Sequence, residues 1–131
     1  ETLKAKANEI IERDGFILYP SVLPDGYEVS GIESGKKNRI VLRKNDNDCL
    51  EIEISYYIGL DTELFNDSEN SDNVEVIVNG QNAVFRDDDN KKELYWKYDN
   101  FQVQLFTFDN SIDVTYLSTI ADGIKKFYKI L

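Results

Sequence analysis

Apolar residues recur along this chain with two different periods. Leu3, Ala7, Ile10 and Ile11 stand at i, i+4, i+7 and i+8, which places them on one face of a helix from about Thr2 to Asp14, with Gly15 as a C-terminal stop. From Tyr27 to Phe108 the period is two. Leu50, Ile52, Ile54, Tyr56 and Ile58 alternate with Cys49, Glu51, Glu53, Ser55 and Tyr57, which predicts a strand with one buried face. The same alternation runs through Val74, Val76 and Val78, through Ala83 and Phe85, through Leu94, Trp96 and Tyr98, and through Phe101, Val103 and Leu105. Tyr27 to Glu33 and Arg39 to Lys44 are weaker runs of the same kind.

The connecting residues agree with this reading. Asn79-Gly80 and Asp99-Asn100 suit two-residue hairpin turns with positive φ, and Asn45 to Asp48 and Asp87 to Lys92 suit longer polar turns. In Pro20-Ser21-Val22-Leu23-Pro24, fixed φ and missing donors exclude helix and favour an extended segment after Phe16 to Tyr19. At the far end Tyr116, Leu117, Ile120, Ala121, Ile124, Phe127 and Tyr128 follow a 3-4-3 spacing. This predicts a helix capped by Ser111 or Asp113, with Lys125, Lys126 and Lys129 in last turns where positive charge suits the helix dipole. The expected fold is α+β: an antiparallel β-meander of about six or seven strands, with an N-terminal and a C-terminal α-helix packed on the sheet.

Composition narrows the function. The 131 residues include 25 acids and 15 bases, a formal net charge of −10, and their length supports one domain over residues 1–131. Nucleic acid is not an expected partner, because phosphates are held by Lys and Arg and this surface repels them. Ten acids and no base lie between Asn45 and Phe85, so the net charge comes from that stretch. Its loop from Gly59 to Asn73 is long and polar and is expected to be the mobile part. The chain has no Met and opens at Glu1, as a piece of a longer, processed protein would. No run reaches the ~18–20 apolar residues needed to span a bilayer, so a membrane anchor is expected outside this sequence.

Catalytic constellations are scarce. With no histidine, the Ser-His, Cys-His and His-metal arrangements have no base or ligand. Cys49 sits among acids that raise a thiol pKa, and neither phosphate-cradling glycine motif occurs. An enzyme and a cofactor are therefore not expected. Asp67, Glu69 and Asp72 are weak candidates for calcium in the acidic loop, as is the run Asp87 to Asn90, but neither stretch has the Gly and Glu positions of an EF-hand.

The second face of the sheet carries Ile32, Val41, Tyr57, Ile77, Val84, Tyr95, Phe106 and Phe108, too many apolar residues for a face left in water. One terminal helix on each face, or a sheet curled round the C-terminal helix, would cover them. The alternative is a groove for a peptide, a partner or a lipid-like ligand, with Tyr57, Ile77, Tyr95, Phe106 and Phe108 as its ligand-binding residues.

Three motifs act together. Leu23-Pro24-Asp25-Gly26-Tyr27 makes a type I or II turn in which Gly26 supplies positive φ and delivers Tyr27 into the sheet. Val76-Ile77-Val78-Asn79-Gly80 with Ala83 is a hairpin whose Asn-Gly pair sets the register. Leu94-Tyr95-Trp96, with Trp96 as a core anchor, precedes a final strand and the helix motif Ile120-Ala121-Asp122-Gly123-Ile124. Their order, from about Phe16 to Phe127, resembles the domain of unknown function family 4367, with Gly123 where Ser is expected. Members of that family are mostly extracytoplasmic portions of membrane-anchored or lipoprotein-like proteins of Gram-positive bacteria, some attached to anti-sigma-factor or related regulatory regions. The resemblance implies an extracytoplasmic sensing or interaction domain, with no catalytic residues to carry over. Its partner would be an unknown protein or a small apolar ligand, and membrane association would run only through an anchor outside this sequence. A carrier or chaperone holding a lipid-like ligand on the sheet is the alternative expectation, and a cation-dependent wall-associated module is a third.

Overall fold

A computed structural model describes residues 2–44, 47–58, 73–88 and 90–130. Helix α1 spans Leu3–Asp14. It begins where the Thr2 hydroxyl accepts the Ala5 N–H (3.1 Å), and it stops at Gly15, whose φ of 90° returns its N–H to the Ile11 carbonyl. Among the described residues nine strands and a second helix follow: β1 Ile17–Pro20, β2 Tyr27–Glu33, β3 Asn38–Lys44, β4 Asn47–Ile58, β5 Asn73–Val78, β6 Gln81–Asp88, β7 Lys91–Tyr98, β8 Phe101–Thr107, α2 Val114–Asp122 and β9 Ile124–Phe127.

Seven strands form one antiparallel sheet in the order β2-β3-β4-β8-β7-β6-β5, and β1 pairs with β9 in a separate two-stranded ladder. The meander therefore runs in two parts, β2 to β4 and β5 to β8, which join where β4 pairs with β8. The two-residue turns form as predicted, but the longer polar turns do not: Asp87 and Asp88 pair with Lys92 and Lys91 in the β6–β7 ladder, and Asn47 and Asp48 already belong to β4. Asn79 and Gly80 take φ of 52° and 77°, whereas in the pair Asp99-Asn100 the positive φ belongs to Asp99 (53°).

One apolar layer lies on one side of the large sheet. The register aligns Ile40, Ile54, Leu105, Leu94 and Phe85 across β3, β4, β8, β7 and β6, and all are buried. Ala7 and Ile10 of α1 and Leu117, Ile120 and Ala121 of α2 belong to the same buried cluster. Both helices thus pack on this face, and the expected arrangement with one helix on each face does not occur. Each helix has a narrow apolar stripe, α1 covering the β2 side and α2 the β5, β7 and β8 side.

Two further expectations are corrected. Ile32 belongs to the core face, 5% exposed and paired with Ile40, because a bulge between Val29 and Gly31 inserts one residue and reverses the parity of β2. The C-terminal helix ends at Asp122. Ile124–Phe127 continue as strand β9, so Lys125 and Lys126 lie on a strand beside β1 and Lys129 lies beyond it, none of them in the last turn of a helix. Ser21 causes the change of direction: its N–H and its hydroxyl both donate to the Gly123 carbonyl (2.7 and 2.6 Å), which draws the chain alongside β1.

Candidate functional site

The turn that opens the sheet and the helix that follows it enclose a groove. The Tyr27 N–H bonds to the Pro24 carbonyl (3.0 Å), Gly26 takes the predicted positive φ (84°) at the third position, and Tyr27 enters the sheet buried. A Cβ on Gly26 would meet only the flexible Lys44 side chain (3.2 Å), so the turn's need of glycine is conformational, set by the positive φ. The residues before it stay outside. Val22 is 71% exposed and Leu23 38%, and with Pro24 they form one wall of a cavity of about 370 Å³. Thr115, Tyr116, Thr119 and Ile120 of α2 form the other. The Ser21–Gly123 hydrogen bonds tie the two chain segments at their base.

Carboxylates rim this groove. Asp113 caps α2 by accepting the Tyr116 N–H (2.9 Å) and borders the cavity together with Asp25. Asp113 and Tyr116 also border an adjoining hollow of about 220 Å³, shared with Tyr27, Lys44, Asp109 and Ser111. There Asp109 accepts from the Ser111 N–H (3.0 Å) and hydroxyl (2.6 Å). Three carboxylates thus face one ammonium across the two hollows. Burial first, then the Asp25 and Asp109 charges, push the Tyr116 phenol up from its ordinary value; for Tyr27 the causes are burial, then Tyr116 and Asp109. Both hydroxyls stay protonated near neutral pH and can donate.

The residues expected to bind ligand on the second face do not form one site. Tyr57, Gln102, Lys97, Asn82 and Ile77 lie in one cross-strand row, which puts Tyr57 and Ile77 four strands, or about 19 Å, apart. Phe106 and Phe108 do meet edge to face (5.8 Å), with the Lys91 ammonium 4.4 Å from the Phe106 ring. Tyr95 lies one row away and accepts from the Gln104 amide (3.3 Å), and the Tyr57 hydroxyl donates to Gln102 (2.9 Å). The ion pairs Arg39–Glu53 and Arg43–Glu51 stand among them. The face is a mosaic of charge and aromatic rings, and Ile77 and Phe108 remain 60% exposed.

The motif residues do structural work. Trp96 is fully buried, and Asn79 donates its backbone N–H to Asp122 (2.9 Å) and its side-chain amide to the Ala121 carbonyl, which locks the hairpin before Gly80 to the end of α2. Asp67, Glu69 and Asp72 lie outside the described residues. Among the described residues no group of three or more His, Cys, Asp or Glu is placed to hold a metal, and no helix is long and apolar enough to cross a membrane.

Sequence reasoning passed over the groove because Leu23 to Tyr27 reads as a turn and Tyr116 reads as part of a helical stripe. The available signal was Val22-Leu23, two apolar residues between prolines in a segment that can join neither helix nor ladder.

No curated protein and no solved structure matches this chain. A family model does: the model described as Domain of unknown function (DUF4367) matches residues 17–124. That span begins at β1, holds both walls of the groove and ends at the first residue of β9, so the chain belongs to the DUF4367 family.

Proposed function

We propose that this chain is a non-catalytic, extracytoplasmic recognition domain of a membrane-anchored bacterial protein, and that it binds a segment of a partner protein in the groove between Val22–Pro24 and α2. The observation that carries the reading is the groove itself: exposed Val22, Leu23 and Tyr116 around a cavity of about 370 Å³ whose walls are pinned together at Ser21 and Gly123. Concave apolar surface held on rigid elements is what recognition needs. The absence of histidine from the sequence argues against acid–base catalysis near neutral pH. A net charge of −10 and carboxylates at the rim argue for protein over anionic lipid as the occupant. The extracytoplasmic location rests on the family resemblance. Since α2 leads through Gly123 directly into β9, occupancy of the groove can be passed to the β1–β9 ladder and on to the rest of the protein.

One labelling experiment separates the parts of this reading. In a Cys49→Ser background, cysteines replace Val22 in the groove or exposed Glu12 on α1, and intact cells meet a membrane-impermeant maleimide. The expected result is labelling at position 12 and protection at position 22, with both labelled in purified protein. If neither labels before lysis, the location is wrong. Equal labelling of both on cells leaves the groove unoccupied and removes the recognition role.

A further inference from the structure

The groove has two compartments of different chemistry that share a wall, and this implies what its occupant looks like. The larger compartment is lined by Leu23, Pro24 and Ile120 and is apolar. The smaller one, across Tyr116, is bordered by Asp109 and Asp113. Asp25 borders the larger compartment and Asp113 borders both, and the Asp25 charge acts on the Tyr116 hydroxyl. Asp109 and Asp113 each spend one oxygen on local N–H and O–H donors, while Asp25 has no side-chain partner among the described residues. Among the described residues Lys44 is the one ammonium bordering the smaller hollow, lying over the Tyr27 ring (5.9 Å), while the nearby Lys92 ammonium is engaged by the Asn110 and Ile112 carbonyls (2.9 and 2.6 Å), so three carboxylates still outnumber the cations. Around the two compartments the balance is therefore negative, next to apolar surface that water solvates poorly.

We infer that the groove recognises a peptide segment that presents a large apolar side chain beside a Lys or Arg: the apolar side chain fills the compartment over Pro24 and Ile120, and the cation enters the one bordered by Asp109 and Asp113. This rests on the groove reading above and adds the chemistry of the partner. An anionic or purely apolar segment would leave the carboxylates facing like charge or low dielectric, which selects against it. Tyr116 and Asp113 line both compartments, and the charges of Asp25 and Asp109 act on the Tyr116 hydroxyl.

The test is a titration of isotope-labelled protein, followed by amide chemical shifts, with acetyl-Gly-Leu-Arg-Gly-amide and its counterparts carrying Gln or Glu in place of Arg. The Arg peptide is expected to shift amides of residues 22–27 and 109–120 and to bind about two- to fivefold more tightly than the Gln peptide, the size of an exposed ion pair, with the Glu peptide weakest. That preference should disappear in the double variant Asp109→Asn, Asp113→Asn, in which each Asn keeps an oxygen to accept the local N–H donors while the charge is removed. Equal binding of all three peptides would overturn this inference and leave the groove reading standing. No groove shift with any peptide would remove both. Groove shifts produced by raising the protein concentration alone would assign the site to a second copy of the chain and overturn the peptide.

Discussion

The Tyr56 hydroxyl, on the interior strand β4, accepts the backbone N–H of Leu18 on β1 at 3.1 Å, and this hydrogen bond joins the two sheets through the core. Leu18 is fully buried and stands at a non-hydrogen-bonded position opposite Lys126, so among the described residues neither water nor β9 satisfies that amide. Tyr56→Phe would keep the edge-to-face contact with Phe101 (5.4 Å) and leave the N–H without a partner. The expected loss is about 1–3 kcal/mol, read as a lower urea midpoint with an unchanged m-value. A change below about 0.5 kcal/mol would mean that the bond holds nothing together.

The same burial sets an alkaline limit. Burial is the largest cause that pushes Tyr19, Tyr27, Tyr56 and Tyr116 above the ordinary 10.0. As the pH rises, the unfolded chain releases these protons first, so the stability that they contribute is whole below about pH 10 and is lost as the pH climbs through the folded values. Melting temperature measured from pH 8 to 11 should hold and then fall, with a shallower fall for Tyr56→Phe. A flat profile to pH 11 would show that the phenols are not held neutral.

Acid weakens a different joint. Arg13, in the last turn of α1, donates to the Ser34 hydroxyl (3.0 Å), the Gly35 carbonyl (3.1 Å) and the Asn38 side chain (2.8 Å), which bolts the helix to the β2–β3 connection. Its bidentate hydrogen bonds to Asp14 hold that carboxyl below the usual carboxylate range, against the opposing effect of burial. The folded value is depressed, so this contribution is present above about pH 4 and is lost as the pH falls through the folded value. Arg13→Ala should cost about 1 kcal/mol at pH 7. It should also flatten the loss of stability below pH 4, which acid titration followed by circular dichroism would detect.

Much of this architecture is written in local periods. The stripe of Ala7 and Ile10 and the alternation of Ile52, Ile54 and Tyr56 predict the faces that are buried, because each is set by its own backbone. Ile32 could not be placed that way, since the bulge after Val29 is a property of the β2–β3 pair. Nor could the groove, whose walls lie about 90 residues apart and meet through Ser21 and Gly123. Where Gly123 departs from the Ser expected in the helix motif, a Cβ would approach the Ser21 hydroxyl at 3.3 Å, so glycine gives room to the contact that closes the groove's base.

The C-terminal segment shows the limit most sharply, because Ile120, Ile124 and Phe127 satisfy a helical period while Ile124 and Lys125 to Phe127 also suit a strand. Only the distant partner β1 decides between them. Hydrogen exchange distinguishes the two. In the ladder, Ser21 bonds to Gly123, and the Leu18 amide is engaged by Tyr56, so the Leu18–Lys126 pair is one that exchanges no backbone hydrogen bonds. Lys125 and Phe127 amides, opposite Tyr19 and Ile17, should therefore be protected while the Lys126 amide exchanges freely. A helix through these residues would protect all three. Ile124→Ala, which empties a fully buried site opposite Pro20, should abolish the alternation and cost about 2–5 kcal/mol. Uniform protection of Lys125, Lys126 and Phe127 would restore the helix and remove the path from the groove to β1.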